Sequence, residues 1–409
     1  MKHVFIYLFS WVSFFPTNGQ DTVVKKDTLN QRLPEVLWTF TAPAPIYASP
    51  VARSGMIYFG SVNGCFYAVN ILNGHEEWKF ETHGEIRSTA LIHAGQIYFT
   101  NGSGSLFCLD EQNGRQVWKF TRPGEKKYPL YSFADYYQSS PTYYQGVVYF
   151  GSGNGNIYAV DAATGMEKWH FKTGDVVHSS PVVSGDKLFT GSFDGYFYAL
   201  DLNGRMLWKF KSVGHRYFPK GEFQGSPAAY GSQVIVGARD YNLYAIDTGL
   251  GFCHWNLSFP KGWAIGQPVI HDSILYVGSS DDQLLMAIEP HTGKVLWQRS
   301  LKFNIFGGAA FGTNTLYIGT LMGKIFALDI KSGELRWTFE TKAYKLNHLI
   351  YFNEDDTYKE NLFGTVIRQN EDFLKMYYAL GGIFSTPVKI DQNLIFSSTD
   401  GLVYCLKIE

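Results

Sequence analysis

Few side chains in this sequence stand at spacings that do chemistry. The four cysteines, Cys65, Cys108, Cys253 and Cys405, are far apart and form no CxxC or Cys/His metal pattern. Cys108 and Cys405 fall where other copies of an internal repeat carry Ala68, Ala159 and Ala199, so they read as small buried side chains. A disulfide stays open, because its geometry is not written in spacing. Gly151-Ser152-Gly153-Asn154-Gly155 has the glycine density of a phosphate loop, yet it joins two strands instead of opening a helix, and that reading fails. The acidic run Glu354, Asp355, Asp356 reads as a solvated loop before a metal site. No nucleophile elbow, HExxH or acid pair emerges, so no catalytic residue and no metal ligand is assigned.

Bulk properties narrow the class. The chain has 409 residues, 17% aromatic and only 17% charged, with 42 glycines. That balance suits many short strands joined by tight turns. A net charge of −1 excludes a generally basic surface for nucleic acid or anionic membrane. At the start, Lys2 and His3 precede an apolar stretch from Val4 to Phe15, too short to span a bilayer. It predicts a cleavable secretory signal over residues 1–19, a linker over 20–32, and an exported protein, periplasmic or extracellular and soluble after cleavage. No later segment is long and apolar enough for a membrane span.

The elements that would position any site come from internal repetition. SPVARSGMIYFGSVNGCFYAVNILNGHEEWKF from Ser49 returns from Ser139 and Ser179, with degenerate copies near Ser88, Ser226, Gln267 and Gly308 and a truncated one at the end. Each unit parses into four short strands, with Asn63-Gly64, Asn154-Gly155, Asp194-Gly195 or Asp400-Gly401 turning the second into the third. A Trp marks the fourth strand: Trp38, Trp78, Trp118, Trp169, Trp208, Trp255, Trp297 and Trp337. The last unit lacks this strand, and a spare one, Val36–Phe40, precedes the first unit. The prediction is an all-β, eight-bladed propeller over residues 33–409, its last blade completed by the N-terminal strand. The repeated Trp is structural, filling the space against the next blade.

The stretch Ala159…Asp161…Thr164-Gly165…Trp169 resembles the tryptophan-docking motif of the pyrroloquinoline-quinone (PQQ)-type propeller repeat, and Ala327…Asp329…Gly333…Trp337 and Ala287…Glu289…Thr292-Gly293…Trp297 are close variants. The resemblance covers roughly residues 33–409. Eight-bladed relatives of this type include the quinoprotein dehydrogenases and the BamB-like propellers of outer-membrane barrel assembly. The first would imply PQQ and Ca²⁺, under a pair of adjacent cysteines in the best-known branch. This sequence has no Cys-Cys, and Glu85, Asp135 and Glu222 lie on separate blades.

Long connections mark one working face. Insertions near 121–137, 211–223 and 341–381 all join a fourth strand to the next first strand, on the side of the Asn-Gly turns. The third predicts one short helix, capped by Asn370, docked through Phe373, Met376, Tyr377 and Leu380, and stopped by Gly381. First strands line the channel, so the residues three before each Pro position should ring its mouth: Tyr47, Arg87, Gln138, His178, Gln224, Ile265, Phe306 and Phe384. Trp263 stands beside them, outside the repeat register.

Three functions are open to this architecture. The first is a non-catalytic exported scaffold, binding a protein partner in the cell envelope through loop aromatics Tyr128, Tyr131, Phe133, Tyr136, Tyr137, Tyr217 and Phe218. The second is a small-molecule or glycan binder using Tyr47, Arg87, Gln138, His178, Gln224 and Trp263. The third is a quinoprotein dehydrogenase using PQQ and Ca²⁺. The first needs no cofactor and is favoured.

Overall fold

The computed structural model describes residues 33–127 and 135–408. The expected signal and linker lie outside the described residues. The described residues form eight four-stranded antiparallel sheets, each a blade of one propeller. Blades 1 to 7 are sequential, and their strands pair in chain order. Blade 8 combines Val388–Ile390, Asn393–Ser397 and Leu402–Lys407 with the N-terminal strand Glu35–Thr41, which places Trp38 opposite Cys405. The ring therefore closes as the repeat count requires.

Blade 1 shows why these residues form strands. Met56–Gly60 and Cys65–Asn70 bury nearly every side chain, because both faces of an inner strand meet neighbouring blades. Their sequences are accordingly continuous apolar runs. The outermost strand, Glu76–Glu81, alternates exposed and half-buried residues and has one free edge. At the turn only Gly64 takes a positive φ, 84°, while the Asn63 Oδ1 accepts the Cys65 N–H at 3.1 Å. The pair thus closes a type I turn with a left-handed glycine, not the two-residue type I′ hairpin.

Blades are joined by tryptophan. Each Trp stands opposite a small residue of the third strand, Ala159 for Trp169 and Cys108 for Trp118. For seven of the eight, the ring then lies on the glycine of the next blade's outer turn; Trp337 meets none, because blade 8 takes its fourth strand from the N-terminal segment and has no such turn. A Cβ on Gly204 would fall 2.7 Å from Trp169, and one on Gly74 would fall 2.6 Å from Trp38. At Trp169 and Trp38 the indole N–H finishes the contact by donating to a turn carbonyl, Leu202 O at 2.8 Å and Ile71 O at 3.0 Å respectively.

The third insertion holds two helices, not one. Helix α1 (Lys342–Tyr351) begins on Thr341, whose hydroxyl accepts the Tyr344 N–H at 3.1 Å. Helix α2 (Asn370–Leu380) was expected to be capped by Asn370. Gln369 is the cap instead, because Asp372, three residues on, reaches back to the Gln369 N–H at 3.2 Å. Met376, Tyr377 and Leu380 are buried against the propeller, as their spacing predicts, and Gly381 ends the helix at φ 65°. Asp356 is not a solvated loop residue: it pairs with Lys324 at 2.6 Å and accepts from the Tyr344 hydroxyl.

If the closing junction is equivalent to an interior one, Trp38→Ala and Trp169→Ala should each cost about 3–5 kcal/mol in denaturant unfolding. A Trp38 loss far below the Trp169 loss would show that the ring does not depend on its N-terminal strand.

Candidate functional site

The working face is where the sequence places it. The Gly64 turn sits against the connection leaving blade 1, with the Thr82 N–H donating to Gly64 O at 2.8 Å. Tyr47, Arg87, Gln138, His178, Gln224, Ile265, Phe306 and Phe384 converge on the channel, but not from first strands. They sit on the extended segments that lead into them; Val51–Arg53, for example, starts four residues after Tyr47. Those segments tilt inward, because the strand begins only after the proline. All eight side chains are buried.

One half of the mouth is filled by apolar side chains. Tyr47 and Phe384 pack at 4.5 Å between ring centroids, and Tyr136 covers Phe306 and Phe384 at 5.3 and 5.2 Å. Met376, Tyr377 and Leu380 of α2 complete this cluster. Tyr378 adds a hydrogen bond between its hydroxyl and that of Tyr47, at 2.8 Å.

The other half is ionic. Arg87 lies over the Tyr47 ring and grips Glu85 Oε2 through Nε and Nη2 at 3.1 and 2.9 Å. Lys127 reaches the other Glu85 oxygen at 3.1 Å. Burial alone would raise the Glu85 carboxyl, but these two cations hold it below its ordinary range. His178 stands between two carboxylates of the first insertion. Its Nδ1 meets Asp135 at 2.9 Å and its Nε2 meets Glu125 at 3.0 Å. Burial by itself would lower the imidazole; the carboxylates overcome it and raise His178 to about 10. Gln224 accepts from Arg239 Nη2 at 2.7 Å, and the Arg239 guanidinium is sandwiched between Phe193 and Trp263. A cavity of about 110 Å³ remains among Glu85, Arg87, Glu125, Lys127, Gln138 and His178.

Of the loop aromatics, Tyr128, Tyr131 and Phe133 lie outside the described residues. Tyr136 and Phe218 are buried and turned inward, Phe218 meeting Trp263 edge-on at 5.0 Å. Tyr137 donates to Phe306 O at 3.0 Å. Tyr217, like Tyr137, is partly open, and it lies under the Arg216 guanidinium. Glu125, Ser152 and Arg239 escaped the sequence reading. Arg239 was legible, since its turn position carries Val62, Phe193 or Leu321 in other blades. Glu125 was not, because an insertion has no repeat register.

A family model described as outer membrane protein assembly factor BamB matches residues 17–210 and 194–350. The chain belongs to this family of PQQ-type propellers. Among curated proteins, it is 27% identical to tetrathionate hydrolase of Acidithiobacillus ferrooxidans over 45% of its length, and 25% identical to BamB of Burkholderia pseudomallei over 49%. It is 30% identical to quinoprotein ethanol dehydrogenase of Pseudomonas putida over 33%. The matches span 40%, 55% and 23% of those proteins. BamB from Moraxella catarrhalis shares the fold over 92% of this chain and all of its own, with a TM-score of 0.66 at 15% identity. Quinohemoprotein alcohol dehydrogenase from Comamonas testosteroni does so over 92% of this chain and 76% of its own, at 0.67 and 14%.

The residues at the mouth do not fit PQQ with Ca²⁺. A flat tricyclic quinone needs a slot across the channel, and α2 and Tyr136 fill half of it. Glu85 and Asp135 are each committed to a cation of this chain. Among the described residues, no three His, Cys, Asp or Glu side chains converge as a metal site.

His178 gives a pH test. Unfolded, it titrates near 6.5; folded, near 10, so its stabilisation is complete below pH 6.5 and fades as pH climbs toward 10. The stability gap between wild type and His178→Gln should be widest at pH 6 and shrink steadily to pH 10 in denaturant titrations. A gap constant over that range would mean that His178 is neutral in the fold.

Proposed function

We propose that this protein is an exported, non-catalytic scaffold of the cell envelope that binds a protein partner through its loop-bearing face. One observation carries this reading: the channel mouth, where a cofactor-dependent relative needs space, is packed with the chain's own insertions. What those insertions leave outward is contact surface. On α1, Leu346, Leu349 and Ile350 share the solvent-facing side, Leu346 with 72% of its surface exposed. Aliphatic side chains at i, i+3 and i+4 form a compact anchor for a partner. Membership of the BamB-described family supports the same reading, as does the apolar start of the sequence. Among the described residues, no helix is long and apolar enough to cross a membrane.

Photo-crosslinkers at Leu346 and Tyr217, and at Ser54 on the opposite face, test this in native envelopes. The expected result is a discrete protein adduct from Leu346 and Tyr217 and none from Ser54. Purified protein mixed with PQQ and Ca²⁺ should show no dye reduction with alcohols or sugars. Saturable turnover there, or no adduct from either loop position, would overturn the scaffold reading.

A further inference from the structure

Blade 3 lacks a hydrogen bond that the other seven blades share. In each of those, the second residue of the inner turn donates its N–H to the carbonyl two residues before the channel residue. The pairs are Val62 to Pro45, Gly102 to Glu85, Phe193 to Val176, Arg239 to Glu222, Ser280 to Trp263, Leu321 to Asn304 and Thr399 to Gly382, at 2.8–3.1 Å. Blade 3 should pair Gly153 with Tyr136. The first insertion redirects that segment, and the Tyr136 carbonyl faces Arg87 Nη1 at 3.4 Å. The Gly153 N–H donates instead to a carboxylate, Glu125 Oε2, at 2.7 Å.

Two more donors meet the same group. Ser152 Oγ donates to Glu125 Oε2 at 2.6 Å, and His178 Nε2 meets Oε1 at 3.0 Å. Backbone N–H, hydroxyl and imidazolium thus converge on the two oxygens of one carboxylate. Gly153 permits this, since a Cβ there would lie 2.6 Å from Lys126 N and exclude the insertion. The glycine-serine turn that fails as a phosphate loop does grip an anion, one supplied by the chain itself.

We propose that Ser152, Gly153 and His178 form a binding site for a small carboxylate, and that Glu125 is its exchangeable resident. The 110 Å³ cavity opens beside the site, because Glu125 and His178 both line it. Four cations, Arg87, Lys126, Lys127 and His178, face three carboxylates, Glu85, Glu125 and Asp135, across that lining. Withdrawal of Glu125 would leave an excess of two positive charges and three aimed donors, which a free carboxylate of a few atoms neutralises. Binding would release the end of the first insertion from the channel.

Titration calorimetry with acetate in chloride-matched buffer tests this on the full-length mature protein. Glu125→Ala should bind acetate at least about tenfold more tightly than wild type, whose site is open only while Glu125 is withdrawn. Adding Ser152→Ala to that variant should abolish the gain, and acetate should raise the melting temperature of Glu125→Ala but not of the double variant. Should Glu125→Ala fail to fold, Glu125→Gln keeps the side-chain volume but removes the charge, and it should still bind acetate more tightly than wild type and lose that gain with Ser152→Ala. Equal affinity in wild type and variant, or a gain that survives Ser152→Ala, would place acetate elsewhere and overturn the site. Wild type that takes up no acetate at about 100 mM, a ligand level that detects even millimolar affinity, would make Glu125 a fixed structural group and overturn the exchange.

Discussion

The contact between an indole and the glycine of the following blade, made at seven of the eight junctions, is what the remainder of the molecule depends on. A propeller blade is a small twisted sheet that cannot bury both faces alone, so its stability is that of its two junctions. The junction made by Trp169 combines a ring seated on bare backbone, an indole hydrogen bond and a stack of inner-strand side chains. The glycine is required twice over: Gly204, at φ 84°, needs both the left-handed backbone and the absence of a side chain under Trp169. Because the N-terminal strand supplies Trp38 to blade 8, the junction with blade 1 is built from the two ends of the propeller unit.

A frame this repetitive leaves individuality to its connections. The described residues of the insertions fold over the channel and divide its mouth into an apolar half, sealed by Tyr136 and α2, and an ionic half organised around His178. Side chains that lined an open mouth in the sequence reading have become the floor beneath a plug. The plug moves the available surface outward, onto α1 and the second insertion.

The repeat made the fold legible: the eight Trp positions and the unpaired first strand gave blade number and closure from residue types alone. The columns also put Cys108 and Cys405 where other repeats carry Ala, and the structure adds that this small residue stands opposite each Trp. The site was legible only in part. Arg87, Gln138, His178 and Gln224 are where the repeat column puts them, since the column fixes backbone position. Their partners are not, because Glu125 and Asp135 lie in an insertion without repeat register, and pairing depends on how that loop folds back. Helix α1 escaped for a different reason. Its outward side carries Leu346, Leu349 and Ile350 and its inward side Tyr344 and Tyr351, so no polar stripe marks it as amphipathic.

The small-residue slot opposite each Trp has a chemical consequence where cysteine occupies it. Cys108 and Cys405 are both buried, and the surrounding apolar packing pushes each thiol up to about 12. Only the thiolate attacks a disulfide or an oxidant, so at neutral pH both sulfurs are effectively unreactive. The tryptophans opposite these two positions thus serve as lids over them, whereas Cys65 and Cys253 are free and only half-buried.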